Sequence, residues 1–216
     1  LLVMRLFSLT LMGCLIVAGC GRENSVTEIS FSQSGVELVK SAHVLDATDW
    51  PAWRGPSGDG IALDQALPTA WDESTNILWR SDVPGRGHSS PIVVGDSVVL
   101  TTALEQQEQQ LVLAVDRVSG QEQWRTVIHH GGFHSKVHEK STRANGTLAC
   151  NGEALFTAFL NSRAITATAI TLDGDILWQK EVGKFVSVWG YAPSPVLYHS
   201  LVIIAADNRG GGCLVA

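Results

Sequence analysis

Ala114-Val115-Asp116-Arg117-Val118-Ser119-Gly120-Gln121-Glu122-Gln123-Trp124 is the stretch that decides the fold. An apolar run ends at an Asp, a short turn closes on Gly120, and a Trp follows four residues later. A carboxylate in that place accepts backbone N–H groups and fixes a tight hairpin. The indole supplies a broad apolar surface and a single N–H donor. The pattern returns at Leu172-Asp173-Gly174 with Trp178, which reads as the same turn with three residues deleted between Asp and Gly. Asn76-Ile77-Leu78-Trp79 reads as an earlier copy of the final strand, with Thr75 where the glycine would be.

Upstream of each turn lies a hairpin. Ser90-Pro91-Ile92-Val93-Val94-Gly95-Asp96 leads into Ser97-Val98-Val99-Leu100-Thr101-Thr102. Thr147 to Glu153 leads in the same way into Ala154 to Phe159, and Ser194 to Ser200 into Leu201 to Ala206. Short Val, Ile, Leu and Thr runs bounded by Gly, Asp, Asn and Pro are the signature of strands and turns, and helical periodicity is hard to find after residue 50. Four strands recurring roughly every 40–50 residues predict an all-β chain built from β-propeller blades. Cys213-Leu214-Val215-Ala216 matches the run before Asp116, with Ala216 in the place of Ala114. The expectation is therefore a partial propeller of about three to four four-stranded blades, cut in mid-blade from a longer one, since propellers close with typically 4–8 blades.

The Ala-x-Asp-x-x-x-Gly-x-x-x-Trp string at Ala114 to Trp124 resembles the tryptophan-docking repeat of the pyrroloquinoline-quinone-like (PQQ-like) propellers. Trp50-Pro51-Ala52-Trp53-Arg54-Gly55-Pro56 with Asp59-Gly60 is similar to the opening segment of such proteins in planctomycete-type bacteria. The resemblance covers roughly residues 49–216. It implies structural docking roles for Trp79, Asp116, Gly120, Trp124, Asp173, Gly174 and Trp178. It leaves function open, because these propellers include quinone-dependent dehydrogenases, BamB-like outer-membrane assembly lipoproteins and sensor modules.

Arg5 is followed by an apolar stretch from Leu6 to Ala18, too short for a membrane span of about 20 residues. A positive start, an apolar middle and small residues at the end describe an export signal over residues 1–19. Val17-Ala18-Gly19-Cys20 resembles the lipobox of bacterial lipoproteins, which implies that Cys20 accepts the lipid; Gly21, in place of Asp, implies the outer membrane with the protein facing the periplasm. Residues 20–48 mix Ser, Gly, Glu and Thr and read as a tether leading to the propeller at 49–216. The two remaining cysteines, Cys150 and Cys213, fall in apolar runs and are expected to be buried free thiols.

A hydrophobic share of 45% excludes a disordered chain, and a charged share of 17% argues against a coiled coil or a charged tail. The net charge of −6, with no basic run, gives no electrostatic grip on phosphate backbones, so no nucleic-acid partner is expected. His129-His130-Gly131-Gly132-Phe133-His134-Ser135-Lys136-Val137-His138-Glu139 is the densest chemical cluster, in an unusually long connection between blades. His130, His134 and His138 are weak candidates for a metal, but Gly131-Gly132 breaks helical ligand spacing, and the imidazoles are equally suited to bonding loop backbone. His88, Trp189 and Tyr191 precede inner strands and are candidate ligand-facing residues at the channel, against the plainer reading that Ser-Pro merely starts an edge strand.

Two further sequence features bear on function. Neither a Gly-x-Ser-x-Gly elbow nor a phosphate loop occurs, so no catalytic residue is assigned. Pyrroloquinoline quinone and calcium enter only through the dehydrogenase alternative, for which the family's adjacent cysteine pair is missing. The leading expectation is a lipid-anchored, non-enzymatic envelope propeller that binds a protein or peptide; the alternatives are a dehydrogenase-like fragment and a metal- or ligand-binding sensor module.

Overall fold

The computed structural model of the protein describes residues 42–63, 65–133 and 137–216. The expected signal peptide, Cys20 and the tether up to Ser41, together with His134, lie outside the described residues. The strand-forming runs fold into three antiparallel sheets and, among the described residues, no helix. The first sheet consists of β1 (Ile92–Val94), β2 (Ser97–Leu104), β3 (Gln109–Asp116) and β4 (Glu122–His130), in that order. The second repeats it with β5 (Ala149–Cys150), β6 (Ala154–Asn161), β7 (Ala164–Thr171) and β8 (Ile176–Lys184). The third holds β9 (Val196–Tyr198), β10 (Leu201–Ala205) and β11 (Leu214–Val215). The fold is all-β, a partial propeller of two four-stranded blades and one three-stranded blade among the described residues.

Register shows how closely the blades repeat. Ala114 faces Trp124 and Ala169 faces Trp178, each beside a bulge that offsets the next pair. Ser97 pairs with Asp116 and Ala154 with Thr171. Thr171, rather than Asp173, therefore stands where Asp116 does, and the second turn is one residue shorter than the first, not three. Asp116 Oδ1 accepts from Val118 N, Ser119 N and Ser119 Oγ, and these bonds, the Ser119 hydroxyl foremost, hold its carboxyl below the usual range. In the second blade the Thr171 hydroxyl accepts from Asp175 N at 3.0 Å, so a neutral oxygen does the same work. In the third blade Val215 faces Ile204 as Leu113 faces Leu100, which puts Ala216 level with Ala114.

Successive blades meet through the tryptophans. Trp79 Nε1 donates to Arg117 O at 2.8 Å, and Trp124 Nε1 to Leu172 O at 3.0 Å; both acceptors are the first residue of the next blade's turn. The rings lie against the turn glycines. A Cβ on Gly120 would come within 2.5 Å of the Trp79 ring, and one on Gly174 within 2.8 Å of Trp124. Both glycines also have positive φ, 70° and 96°. Glycine is needed there twice over, for backbone and for clearance. Trp79 itself lies outside any strand, which corrects the strand expected at 76–79: no described segment stands beside it to complete a ladder.

Alternation along the strands sends one side chain set to each neighbour. Ile92, Val94, Val99, Val112 and Ala114 of the first sheet pack with Leu148, Leu155, Phe159 and Ile170 of the second. The opposite face of the second sheet, through Ala158, Ile165 and Ala167, meets Tyr191, Ile204 and Ala206 of the third blade. A sheet buried on both faces explains why Ala154-Leu155-Phe156-Thr157-Ala158-Phe159 reads as a nearly unbroken apolar run. Each fully buried Leu, Ile or Phe contributes about 1.5–3 kcal/mol.

At the innermost strands a second repeat appears. Ser90 N donates to Thr147 Oγ1 at 2.9 Å, and Thr147 N donates to Ser194 Oγ at 3.0 Å. Equivalent hydroxyl residues of three blades thus form a chain, in which Thr147 and Ser194 each accept from the blade before. The segment before Pro51 is also tied in. Trp50 exchanges two backbone bonds with Val93, Pro51 O accepts from Cys150 N, and His43 N donates to Gly152 O. Asp49, buried, accepts from Asp46 N, Gly95 N and His43 Nε2; burial alone would raise its carboxyl, but these donors hold it below the ordinary value. Residues 43–48, expected in the tether, are therefore docked, because the Asp49 carboxylate anchors them to the first hairpin. Cys150 is buried, with its thiol pushed up to about 11 by desolvation, whereas Cys213 is exposed; both are free thiols. Exposure of Cys213 corrects the expectation that both are buried, since it sits in the connection before the short edge strand β11.

Replacing Thr147 by Val keeps the volume and leaves Ser90 N without an acceptor. Urea unfolding should show a loss of about 1–3 kcal/mol, as for an unpaired polar group. Thr147→Ser should recover most of it; equal losses in both variants would contradict a role for the hydroxyl chain.

Candidate functional site

Antiparallel order dictates where the long connections gather. The β1–β2 and β3–β4 turns lie at one end of each sheet; the β2–β3 turn and the crossover from one blade to the next lie at the other. The crossovers 131–148 and 185–195 therefore share an end with residues 84–90, which precede β1.

The first crossover is pinned at its start by Gly131-Gly132. Gly131 N donates to Glu108 O, Ser162 N donates to Gly132 O, and Asn161 Nδ2 donates to Gly131 O. A Cβ on Gly132 would run into the Asn161 side chain, so the pair bridges the β2–β3 turn of one blade and the β6–β7 turn of the next. Beneath it Gln110, fully buried, donates to Arg143 O at 2.8 Å and Leu160 O at 3.1 Å. Arg143 lies 4.3 Å over the Phe133 ring and reaches Glu105 Oε2 at 3.2 Å.

Asn145 joins the two crossovers. Its Oδ1 accepts from Thr142 N, and its Nδ2 donates to Ser141 Oγ, Thr142 O and Tyr191 O. Tyr191 lies below the surface at 6% exposure, its hydroxyl donating to Ala205 O at 2.9 Å and its ring edge-on to Phe185 at 5.3 Å. Burial pushes the phenol pKa up. Tyr191 is thus a support, and the expectation that it faces a ligand is corrected: its hydroxyl is committed to a backbone carbonyl.

Above this frame the side chains turn outward. Trp189 is 60% exposed and packs on His138 with ring centroids 4.5 Å apart. Val186 and Val188 are exposed beside it in sequence. His138 Nδ1 accepts from Lys140 N at 3.2 Å. A ring-on-ring pair with aliphatic shoulders, held by a hydrogen-bonded loop, suits an apolar or aromatic side chain of a partner. His88 is exposed at the same end, with its backbone N–H donating to Ala144 O at 2.8 Å.

The described histidines of the cluster, His129, His130 and His138, are dispersed rather than convergent. His130 is exposed at the end of β4, its Nδ1 3.2 Å from Gln109 Nε2, while His138 belongs to the Trp189 pair. Among the described residues no three His, Cys, Asp or Glu side chains come together as a metal site. His129 points inward, edge-on to Phe159 at 6.0 Å, with Nδ1 lacking a hydrogen-bond partner. Desolvation lowers its pKa from 6.5 to about 4. Sequence reasoning did not single out Gln110, Asn145 or the His43–Asp49 pair. Their only sequence signal is a polar residue inside an apolar run or turn, which burial alone distinguishes.

The pKa of His129 sets a pH dependence. Below pH 6.5 the unfolded chain takes up a proton that the folded chain refuses until about pH 4, so stability declines as pH falls through that window. Unfolding free energies measured from pH 7.5 to 4 should fall more steeply for the native chain than for His129→Leu. Parallel curves would contradict the buried neutral imidazole.

Compared with known families, residues 55–213 match the model described as outer membrane protein assembly factor BamB, a PQQ-like repeat family. None of the curated proteins compared with the chain matches it.

Proposed function

Because the chain belongs to the PQQ-like repeat family described as outer membrane protein assembly factor BamB, we propose that it is a protein-binding scaffold of the bacterial envelope. In this reading, lipid on Cys20 anchors it to the outer membrane on the periplasmic side, and the propeller performs no reaction of its own. The observation that carries the reading is the exposed Trp189–His138 pair flanked by Val186 and Val188. Its backbone is fixed from beneath by Asn145 and Tyr191. Aromatic anchors on an ordered loop lose little conformational freedom on binding, and their surroundings exclude water from the contact. The partner this surface suits offers an apolar or aromatic side chain on an extended segment or loop.

A photo-crosslinking residue placed at Val188 in the full chain, expressed in its own cells, tests the reading. One dominant protein adduct is expected there and none from Val118, which is exposed in the turn at the opposite end of the blade. Trp189→Ala should weaken binding of the captured partner by tenfold or more while Cys20→Ser releases the protein from membranes. Equal adducts from both positions, or membrane retention of Cys20→Ser, would contradict the scaffold or the anchor respectively. Dye reduction by the chain supplied with pyrroloquinoline quinone and calcium would favour the dehydrogenase alternative.

A further inference from the structure

The turn joining β6 to β7 is two residues long, Ser162-Arg163, and both have positive φ, 48° and 63°. A hairpin turn with two such residues favours Asn-Gly, because an L side chain in the left-handed region crowds its own carbonyl. The backbone here is held from both sides. Ser162 N donates to Gly132 O in the first crossover, and Phe185 N, at the start of the second, donates to Arg163 O at 2.9 Å. Those bonds account for the backbone but not for the side chain, since glycine would make the same bond to Phe185 without the crowding. Arg163 is exposed and enters no ion pair among the described residues. A guanidinium held at a strained position with no internal partner points to a contact outside the chain.

Its surroundings carry the same sign. Lys184 faces Ala164 across the β7–β8 ladder, next to Arg163, and leads through Phe185 into the exposed Val186. The Lys184 ammonium meets Glu181 at 3.2 Å, an exposed pair that contributes little. On the other crossover Lys140 follows the exposed Glu139, is itself exposed, and donates its backbone N–H to His138. The opposite end of the same two blades is acidic. Its turns, 95–96, 117–121, 151–153 and 172–175, carry Asp96, Glu153, Asp173 and Asp175 against Arg117 alone. A chain of net charge −6 thus sets cations on both crossovers around the Trp189–His138 pair.

We propose that the partner segment seated on Trp189 is acidic: its apolar or aromatic anchor is flanked by carboxylates, which Arg163 receives, with Lys184 and Lys140 at the border. This inference rests on the scaffold reading and names the chemistry of the partner, an extended acidic stretch of another protein. A guanidinium matches a carboxylate with two parallel N–H bonds, so Arg163 is the specific contact and the lysines supply field. Charges at the rim of an apolar contact govern encounter rate and partner choice more than total affinity. Residues 43–51 join the blades at the acidic end, through Gly95 N and Gly152 O. The chain before His43 departs from that end, which favours a protein over the bilayer as the occupant of the Trp189 end.

The test uses the full 216-residue chain in detergent and three fluorescent peptides, each a Phe flanked on both sides by paired Glu, paired Gln or paired Lys. Fluorescence anisotropy should rank Glu above Gln by about tenfold, with no binding of the Lys peptide, and the Glu advantage should shrink as salt is raised. Arg163→Gly should remove most of that advantage and leave the Gln peptide unchanged. Because glycine suits the positive φ, the urea midpoint of the variant should hold or rise, which separates lost binding from lost fold. Equal affinity for the Glu and Gln peptides, no binding of the Glu peptide, or an advantage untouched by Arg163→Gly would each overturn the inference. So would binding of Cys20→Ser chain to phosphatidylglycerol vesicles that Arg163→Gly abolishes, since the cations would then serve lipid. Failure of the scaffold reading shows differently, as Glu-peptide affinity unchanged by Trp189→Ala.

Discussion

The seating of an indole on the turn glycine of the following blade, seen at two successive joints, is the interaction on which the rest depends. Trp79 on Gly120 and Trp124 on Gly174 use the same three components: a flat ring, a missing Cβ, and a carbonyl one step past the strand end. The hydrogen bond fixes the ring's position along the turn, and the close approach fixes the distance between blades. Core side chains can then interdigitate, as Leu155, Phe159 and Ile170 do with Val99, Val112 and Ala114. Well-packed interiors tolerate little displacement, so a joint that sets blade spacing governs the apolar contacts behind it.

Toward the inner strands a separate set of bonds completes the joint. The Ser90–Thr147–Ser194 chain ties the beginnings of equivalent strands, and residues 43–51 bind the first two hairpins together, the first through Asp49 and Trp50 and the second through His43 and Pro51. The blades are thus held at their outer strands by indoles and at their inner strands by hydroxyls. This leaves the crossovers free of structural duty over part of their length. Gly131-Gly132, Gln110 and Asn145 fix the crossover backbones, and Trp189, Val186 and Val188 stay exposed, with His138 against the Trp189 ring. The proposed scaffold function is a consequence of that division.

Period-2 apolar runs and the Gly-to-Trp spacing made the blade architecture legible, because both follow from geometry that every copy must satisfy. The alignment of Asp173 with Asp116 failed because a threonine hydroxyl accepts a turn N–H as a carboxylate does, and residue identity concealed the equivalence of Thr171. The strand at Trp79 failed for a different reason: its sequence suits a strand, but pairing needs a neighbour that sequence pattern does not supply. Tyr191 read as ligand-facing because an aromatic before an inner strand has two orientations of equal pattern, and only the Ala205 carbonyl and Phe185 ring distinguish them. The docked segment before Pro51 was hidden because its hold is one buried carboxylate in an otherwise polar stretch. His134 lies outside the described residues, and His130 and His138 point to separate surroundings that spacing could not separate.

A double-mutant cycle between Trp124 and Gly174, read by urea unfolding, tests the central claim most directly. Gly174→Ala places a methyl against the Trp124 ring and strains a positive φ, whereas in a Trp124→Leu background only the backbone term, about 1 kcal/mol, should remain. The account predicts a coupling of about 1–3 kcal/mol between the two sites. Additive losses, agreeing within about 0.5 kcal/mol, would show that the indole and the glycine are not one joint.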